Sequence, residues 1–449
     1  MGEVFVTEKG AAFMKESIHQ NLLDFKLEKT KDHLTSKSGL SVFYEAACAL
    51  GVVEAISENL PKPLSNRGIQ PKDYVMPMAL MLCGGGRSLE DMREIQCDEG
   101  LRKLCGFKKI PSSDALGKWL RKEENLPGMK KVNKQVVKEI LVKSGKTDFT
   151  LDVDATFIET EKHCAKMNYK GDTSFSVLLS YLSELALCVA STYRNGNESP
   201  QTGILEQVEA TENFLKSLGL KLKYLRSDSA AYQSVVMNFC FDPHHRIVFT
   251  ITADQDAAVK ESIATIKEKD WEPLCDEHGH PTGDEVAVAY HSMEKTKEGF
   301  KLVVKRWQNK QLNLFEQENY SYYVIATSDE EKSPQDLLAF HNQRGQSENF
   351  HKELKRGFSM EYTPSQSLSG NAVYFELGVL AYNLTCAVKL LVLKGDWVTK
   401  TIATLRWQFL LIAGKVVKHG RILFLKVRED YFYLLSNFRM TLRQNLAFG

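Results

Sequence analysis

The sequence predicts an α/β protein: a mixed-sheet core with a β-rich insertion, flanked by helical regions at both ends. Three observations predict it. From Lys146 the texture changes to short runs of β-branched and aromatic residues, ordered strand-strand-strand-helix-strand-helix-strand as far as Thr252. Three alternating segments, Val286–His291, Phe300–Trp307 and Tyr320–Thr327, follow before the next helix. On either side, apolar residues recur at helical spacings. With 449 residues, 43% apolar and 26% charged, the chain is long and apolar enough for a globular protein of several units, which excludes disorder and small stapled scaffolds.

Residues 1–145 read as helical, punctuated by Pro61, Pro63 and the Gly84–Gly86 run. Ser88 suits the cap of a helix beginning Leu89-Glu90-Asp91, and Ser112 or Ser113 the cap of one over Asp114–Lys122. The second helix carries Lys118, Trp119 and Arg121, so the segment reads either as a helix-turn-helix with Lys118 and Arg121 on phosphates, or as a small bundle with a solvated basic face.

Residues 146–253 supply the first part of the sheet. Asp152 and Asp154 alternate with Leu151 and Val153, so both carboxylates share one face of a strand. Asp228 closes Tyr-Leu-Arg-Ser-Asp at the end of another. Adjacent strand ends in an open α/β sheet border one crevice, the usual address of a site. Residues 254–328 form the insertion, where Trp307 reads as a core residue or as a platform for a base. His244 and His245 read as loop residues.

Residues 329–395 return to the core through a helix capped by Ser333, with Pro334 in first position. At about 100° per residue, His341, Arg344, Glu348 and Lys355 crowd into an arc of roughly 60°. Phe350 and Leu354 lie opposite, and Gly345 suggests a kink or a close approach. Phe375–Leu393 is the most apolar late stretch, but Glu376, Asn383 and Lys389 mark it as a buried helix rather than a membrane span. Residues 396–449 read as a basic helical region with Arg406, Lys415, Lys418, Arg421, Lys426 and Arg428.

The net charge of +1 hides an uneven distribution. Residues 101–150 and 351–449 each sum to +8, whereas 251–350 sum to −8. Basic blocks around an acidic centre suit phosphates outside and a divalent cation within. The nine cysteines form no C-x-x-C pair, which reads as reduced and intracellular. Cys275, His278 and His280 lack a second ligand pair at finger spacing. An N-terminus without a basic and then apolar leader predicts a cytoplasmic protein.

Three carboxylates from two strand ends and a helix, beside cations, match the needs of two-metal phosphoryl transfer, for which hard oxygen ligands select Mg²⁺ or Mn²⁺. The ordered set Asp154-Ala-Thr156, Ser227-Asp228-Ser-Ala-Ala-Tyr232 and Arg344-x3-Glu348-x6-Lys355 resembles the DDE transposases of bacterial insertion sequences, in particular those with a Tyr-x2-Arg-x3-Glu-x6-Lys signature. His341 stands at the Tyr position. Gln343–Lys355, Leu380-Ala-Tyr-Asn-Leu384 and Thr404-Leu-Arg406 are similar to the insertion-sequence thirteen-eighty group, a likeness running from about Leu101 to Lys426.

The resemblance implies an RNase H-like (retroviral-integrase-like) catalytic core and a DNA-binding N-terminal region. It also implies cut-and-paste movement of double-stranded DNA bounded by terminal inverted repeats, by a homodimer on DNA with no membrane role. Its catalytic, metal-binding triad carries over to Asp154, Asp228 and Glu348, with Asp152 the competing first acid and Glu353 the substitute third. Arg344 and Lys355, with His341 beside them, would hold phosphates. The alternatives are an RNase H-like nuclease or resolvase without strand transfer, and a transposase-derived DNA-binding protein without chemistry.

Overall fold

The computed structural model describes residues 25–449 apart from 66, 277, 310–319 and 446–449, together with the short strands β1 (Val4–Val6) and β2 (Ala12–Met14). The reading of the N-terminus as leaderless falls almost wholly outside the described residues. After β3 (His33–Thr35) the chain runs through α1 (Ser38–Ala49), α2 (Val52–Asn59), α3 (Pro71–Cys83), α4 (Met92–Gln96), α5 (Glu99–Cys105), α6 (Ser113–Leu120) and α7 (Asn125–Ser144). Local chemistry sets several of these boundaries. The Asp91 carboxylate accepts from the Ser88 backbone N–H at 2.9 Å, and Ser112 caps α6. α7 stops at Gly145, whose φ of 69° is the left-handed conformation that ends helices cheaply only at glycine.

That turn releases the chain into β4 (Asp148–Glu159), which β6 (Thr173–Leu182) and β7 (Leu187–Asn195) follow as an antiparallel meander, with β5 (Lys166–Met167) a short addition on β6. Two crossovers, α8 (Ile204–Ser217) and α9 (Ser234–Phe241), then lay β8 (Lys221–Ser227) and β9 (Val248–Thr252) parallel to β4. The order β7-β6-β4-β8-β9 places β4 at the centre of a mixed sheet. Leu151 and Val153 on one face of β4 are fully buried, as their alternation with Asp152 and Asp154 predicts.

After α10 (Ala257–Ala264), the strands β10 (Glu272–Cys275), β11 (Pro281–His291), β12 (Phe300–Gln308) and β13 (Tyr320–Thr327) continue the same sheet, because β13 pairs with β9, Ile325 opposite Thr252. Two helices, α11 (Pro334–Asn342) and α12 (Gly345–Lys352), replace the single helix expected from Ser333. α13 (Leu368–Ala387) is apolar and, with its extension to Leu393, long enough to cross a membrane, but 83% of its most apolar window is buried within the fold, against α3, α7 and β7.

The expectation of a wholly helical C-terminal region is corrected. Between α14 (Ile402–Leu405) and α15 (Glu429–Asn445) lies a hairpin, β14 (Gly414–His419) and β15 (Ile422–Lys426), which pairs with β3. Gly420, at φ 61°, supplies the tight turn between His419 and Ile422, and the β-branched and aromatic Val416-Val417 and Ile422–Leu425 suit strands better than helix.

Candidate active site

β4 and β8 run parallel with Val153 beside Ser227, so Asp228, just past the end of β8, lies beside Asp154 midway along β4, which continues to Glu159. Ser227 tightens this junction by donating from its hydroxyl to the Val153 carbonyl at 2.9 Å. Asp228 turns its carboxylate back to accept from the Ala230 N–H at 3.1 Å, as the cap of the short turn Ser229–Ala231.

Glu348 comes from α12, whose placement depends on an arginine of β8. The fully buried Arg226 donates from Nη1 to the Phe340 carbonyl at 2.9 Å. That carbonyl would otherwise accept from Arg344 four residues on. Instead the Arg344 N–H bonds to His341 at 2.9 Å, and the chain passes from α11 to α12 through three-residue-spaced bonds. A Cβ at Gly345 would meet nothing within 4 Å, so no close approach accounts for this glycine, which begins α12 just after the break.

The break overturns the single-helix arc. His341 turns inward, 1% exposed, with its ring nitrogens at 3.2 Å from the Thr250 carbonyl and the Thr252 hydroxyl. Burial, with Arg344 and Arg226 adding repulsion, pushes its imidazole down to about 4, so it is neutral at physiological pH. The structure does not bring His341 to the cleft as a phosphate contact, because a neutral buried ring has no charge to offer one.

What α12 does present is a cleft of about 520 Å³ lined by Asp154, Thr156, Glu348, His351, Lys355 and Glu361, among others. Arg344 Nη1 lies 4.0 Å and His351 Nδ1 3.6 Å from Asp154 Oδ2. Lys355 reaches over the strand end, donating to the Phe157 carbonyl at 2.9 Å and the Thr156 hydroxyl at 3.4 Å, with Glu361 at 3.8 Å. Burial pushes the Asp154 carboxyl up to about 7; the Asp228 and Glu348 charges add to the rise, and Arg344 opposes it. Asp154 therefore feels the charges of both other acids.

Asp152 has a different partner. Arg226 Nε and Nη2 hold its two oxygens at 2.7 and 2.9 Å in a bidentate pair, both side chains buried. With its oxygens so engaged, Asp152 is poorly placed to compete as the first acid. Glu353 likewise accepts from the Ile402 N–H, at the start of α14.

Lys118 and Arg121 are exposed at the end of α6, whose other face buries Leu116, Trp119 and Leu120. Trp307 is 37% exposed on β12, with the Lys305 ammonium 5.7 Å from its ring. None of these three lines the cleft. Sequence reasoning missed His351 and the role of Arg226: the first looked like one more polar residue on a charged helix, and the second sat unremarked inside the Asp228 motif.

Among the described residues no three His, Cys, Asp or Glu side chains stand close enough to hold an ion as placed, at this cleft or around Cys275. The donor chemistry of Asp154, Asp228 and Glu348 nevertheless fits a hard divalent cation: all three are carboxylates, and a cation would offset both the burial that raises Asp154 and the repulsion from the other two acids that adds to it.

Residues 23–443 match the family model described as transposase DDE domain group 1. No curated protein matches the chain. Among solved structures, a piggyBac transposase synaptic complex with hairpin DNA is similar at 9% identity and a TM-score of 0.44, over 90% of this chain and 82% of that one.

Proposed function

From the premise that the chain belongs to the transposase DDE domain group 1 family, we propose that it cleaves double-stranded DNA at the terminal inverted repeats of a bacterial insertion sequence and joins the 3′ ends to target DNA. The observation that carries this reading is the convergence on Asp154: Asp228 beside it, Glu348 across the cleft, and the cations of Arg344 and Lys355 around them. The strand order of the core, with its three antiparallel strands and two parallel ones, supports an RNase H-like description.

Asp154, Asp228 and Glu348 are the residues that would hold Mg²⁺ or Mn²⁺, which when bound supplies Lewis-acid polarisation of phosphoryl oxygens and a more acidic water. Arg344 and Lys355 bind and orient the scissile phosphodiester, the guanidinium as a fork and the ammonium as a point charge. Hydrolysis adds water to phosphorus and breaks its bond to the 3′ oxygen, leaving a 3′-hydroxyl and a 5′-phosphate. The hydroxyl then attacks a target phosphodiester, breaking one P–O bond as it forms another, with no covalent enzyme intermediate. Lys118 and Arg121 contact DNA away from the cleft, Trp307 offers a stacking surface, and a homodimer in the bacterial cytoplasm pairs the two ends. Membership of the thirteen-eighty group is part of the same proposal.

The test is incubation of purified protein with labelled DNA carrying the inverted repeats and a target plasmid, with Mg²⁺ and with EDTA. End cleavage and joined products that require Mg²⁺ are expected. Cleavage without joining would replace this reading by a nuclease or resolvase, and specific binding without cleavage by a DNA-binding protein.

A further inference from the structure

His351 lies three residues beyond Glu348 on α12, on the side that faces β4. Its side chain is 8% exposed, and Nδ1 lies 3.6 Å from Asp154 Oδ2, a small rotation short of a hydrogen bond. Nε2 is buried with no hydrogen-bond partner. The ring packs on Tyr181 with centroids 5.2 Å apart, and the Tyr181 hydroxyl is buried without a partner too. Tyr181 stands opposite Asp152 in the β4–β6 register, which puts this imidazole beside the middle of β4, where Asp152 and Asp154 stand.

Packing alone does not explain a histidine here. A phenylalanine would fill the space against Tyr181 without burying an unsatisfied nitrogen, and each such group in a folded protein calls for a specific reason. The reason is on the opposite edge of the ring. Arg344, 4.0 Å away, addresses the same oxygen of Asp154, so two donors from either side of Glu348 limit rotation of one carboxylate.

We propose that His351 is a positioning residue for Asp154: its Nδ1–H holds Oδ2 and so fixes the direction in which the carboxylate meets a divalent cation. This rests on the reading of the cleft as a metal-dependent site. Groups that orient metal ligands typically change metal affinity or activity by about 10–100-fold when removed.

The experiment measures Mn²⁺ binding to the full-length protein without DNA, by electron paramagnetic resonance, alongside kcat and KM for end cleavage. It compares wild type, Asp154→Asn, His351→Phe and His351→Asn, each checked for thermal unfolding. His351→Phe is expected to weaken Mn²⁺ binding and lower kcat by about 10-fold or more with KM for DNA unchanged. His351→Asn, whose amide places a donor near the position of Nδ1, is expected to recover most of both.

Mn²⁺ binding that depends on Asp154 but is untouched by His351→Phe would overturn the inference and leave the transposase reading standing. Equal loss in the Phe and Asn variants would also overturn it, since the donor would then be irrelevant. Binding that follows this pattern without any DNA cleavage would uphold His351 while removing the transposase reading. A wild type that binds no Mn²⁺ would overturn both.

Discussion

Asp152 and Asp154 stand two residues apart on the same face of β4, and their surroundings differ in kind. Around Asp152 every strong group is paired: Arg226 takes both oxygens, and its remaining donors go to Ser183, the Phe340 carbonyl and Gln343. Around Asp154 the contacts are longer, at 3.6 and 4.0 Å, the nearby His351 Nε2 has no partner, and burial, with two further acids adding to it, raises the carboxyl to about 7. The first region is a clamp that holds α11 to the sheet. The second is a cleft with unspent charge, and the difference teaches that identical residues in one motif separate into structural and chemical roles through their partners.

The largest effect that would test this contrast is loss of chemistry. Asp154→Asn and Glu348→Gln are expected to abolish end cleavage by at least about a thousandfold, the equivalent of several kcal/mol, while DNA binding measured by gel shift persists. Retained cleavage in Asp154→Asn would break the comparison by moving the chemistry elsewhere.

Next in size is the clamp. Arg226→Met leaves the Asp152 carboxylate buried and uncompensated, for an expected destabilisation of about 3–5 kcal/mol in urea unfolding. Adding Asp152→Asn to Arg226→Met should recover part of that loss. If Arg226→Met unfolds like wild type, Asp152 is not held as described.

A smaller effect concerns DNA affinity. Lys355→Ala is expected to weaken binding across DNA sequences alike and to reduce the slope of log affinity against log salt by about 1. An unchanged slope would leave Lys355 as a tie between the turn after α12 and β4 only.

The smallest concerns a third buried acid, held by uncharged hydrogen-bond donors, with Lys130 acting on it through space. Glu376 accepts from Ser191 and Asn133, each at 2.6 Å, and burial raises its carboxyl above the ordinary 4.5. A raised folded value favours the protonated form, so this contribution to stability is complete below 4.5 and is lost as pH rises through the folded value. Glu376→Gln should flatten that fall while changing stability by only about 1 kcal/mol at low pH, read from unfolding curves across pH. A wild type with no such fall would show that the hydrogen bonds, and not burial, govern this acid.

Much of the architecture was legible because period and caps are local. Val286–His291, Phe300–Trp307 and Tyr320–Thr327 alternate with period two and are strands. Ser333 and Pro334 open α11 where capping chemistry puts its start. The hairpin around Gly420 was missed because its apolar residues sit among lysines and arginines whose spacing also suits a helix. His341 was misplaced because a helical wheel assumes one unbroken axis.

By itself, the sequence determined the strand and helix order, the two acids sharing a face of β4, and the ordered acid and cation motifs that resemble those of the family. These depend on residues near one another along the chain, where backbone geometry dictates direction. Only the tertiary structure decided that Arg226 takes Asp152 and the Phe340 carbonyl, that the helix therefore breaks before Gly345, and that His351 rather than His341 meets Asp154. Those outcomes bring together residues from 74 to nearly 200 positions apart, so packing and hydrogen-bond partnership settle them and sequence spacing does not.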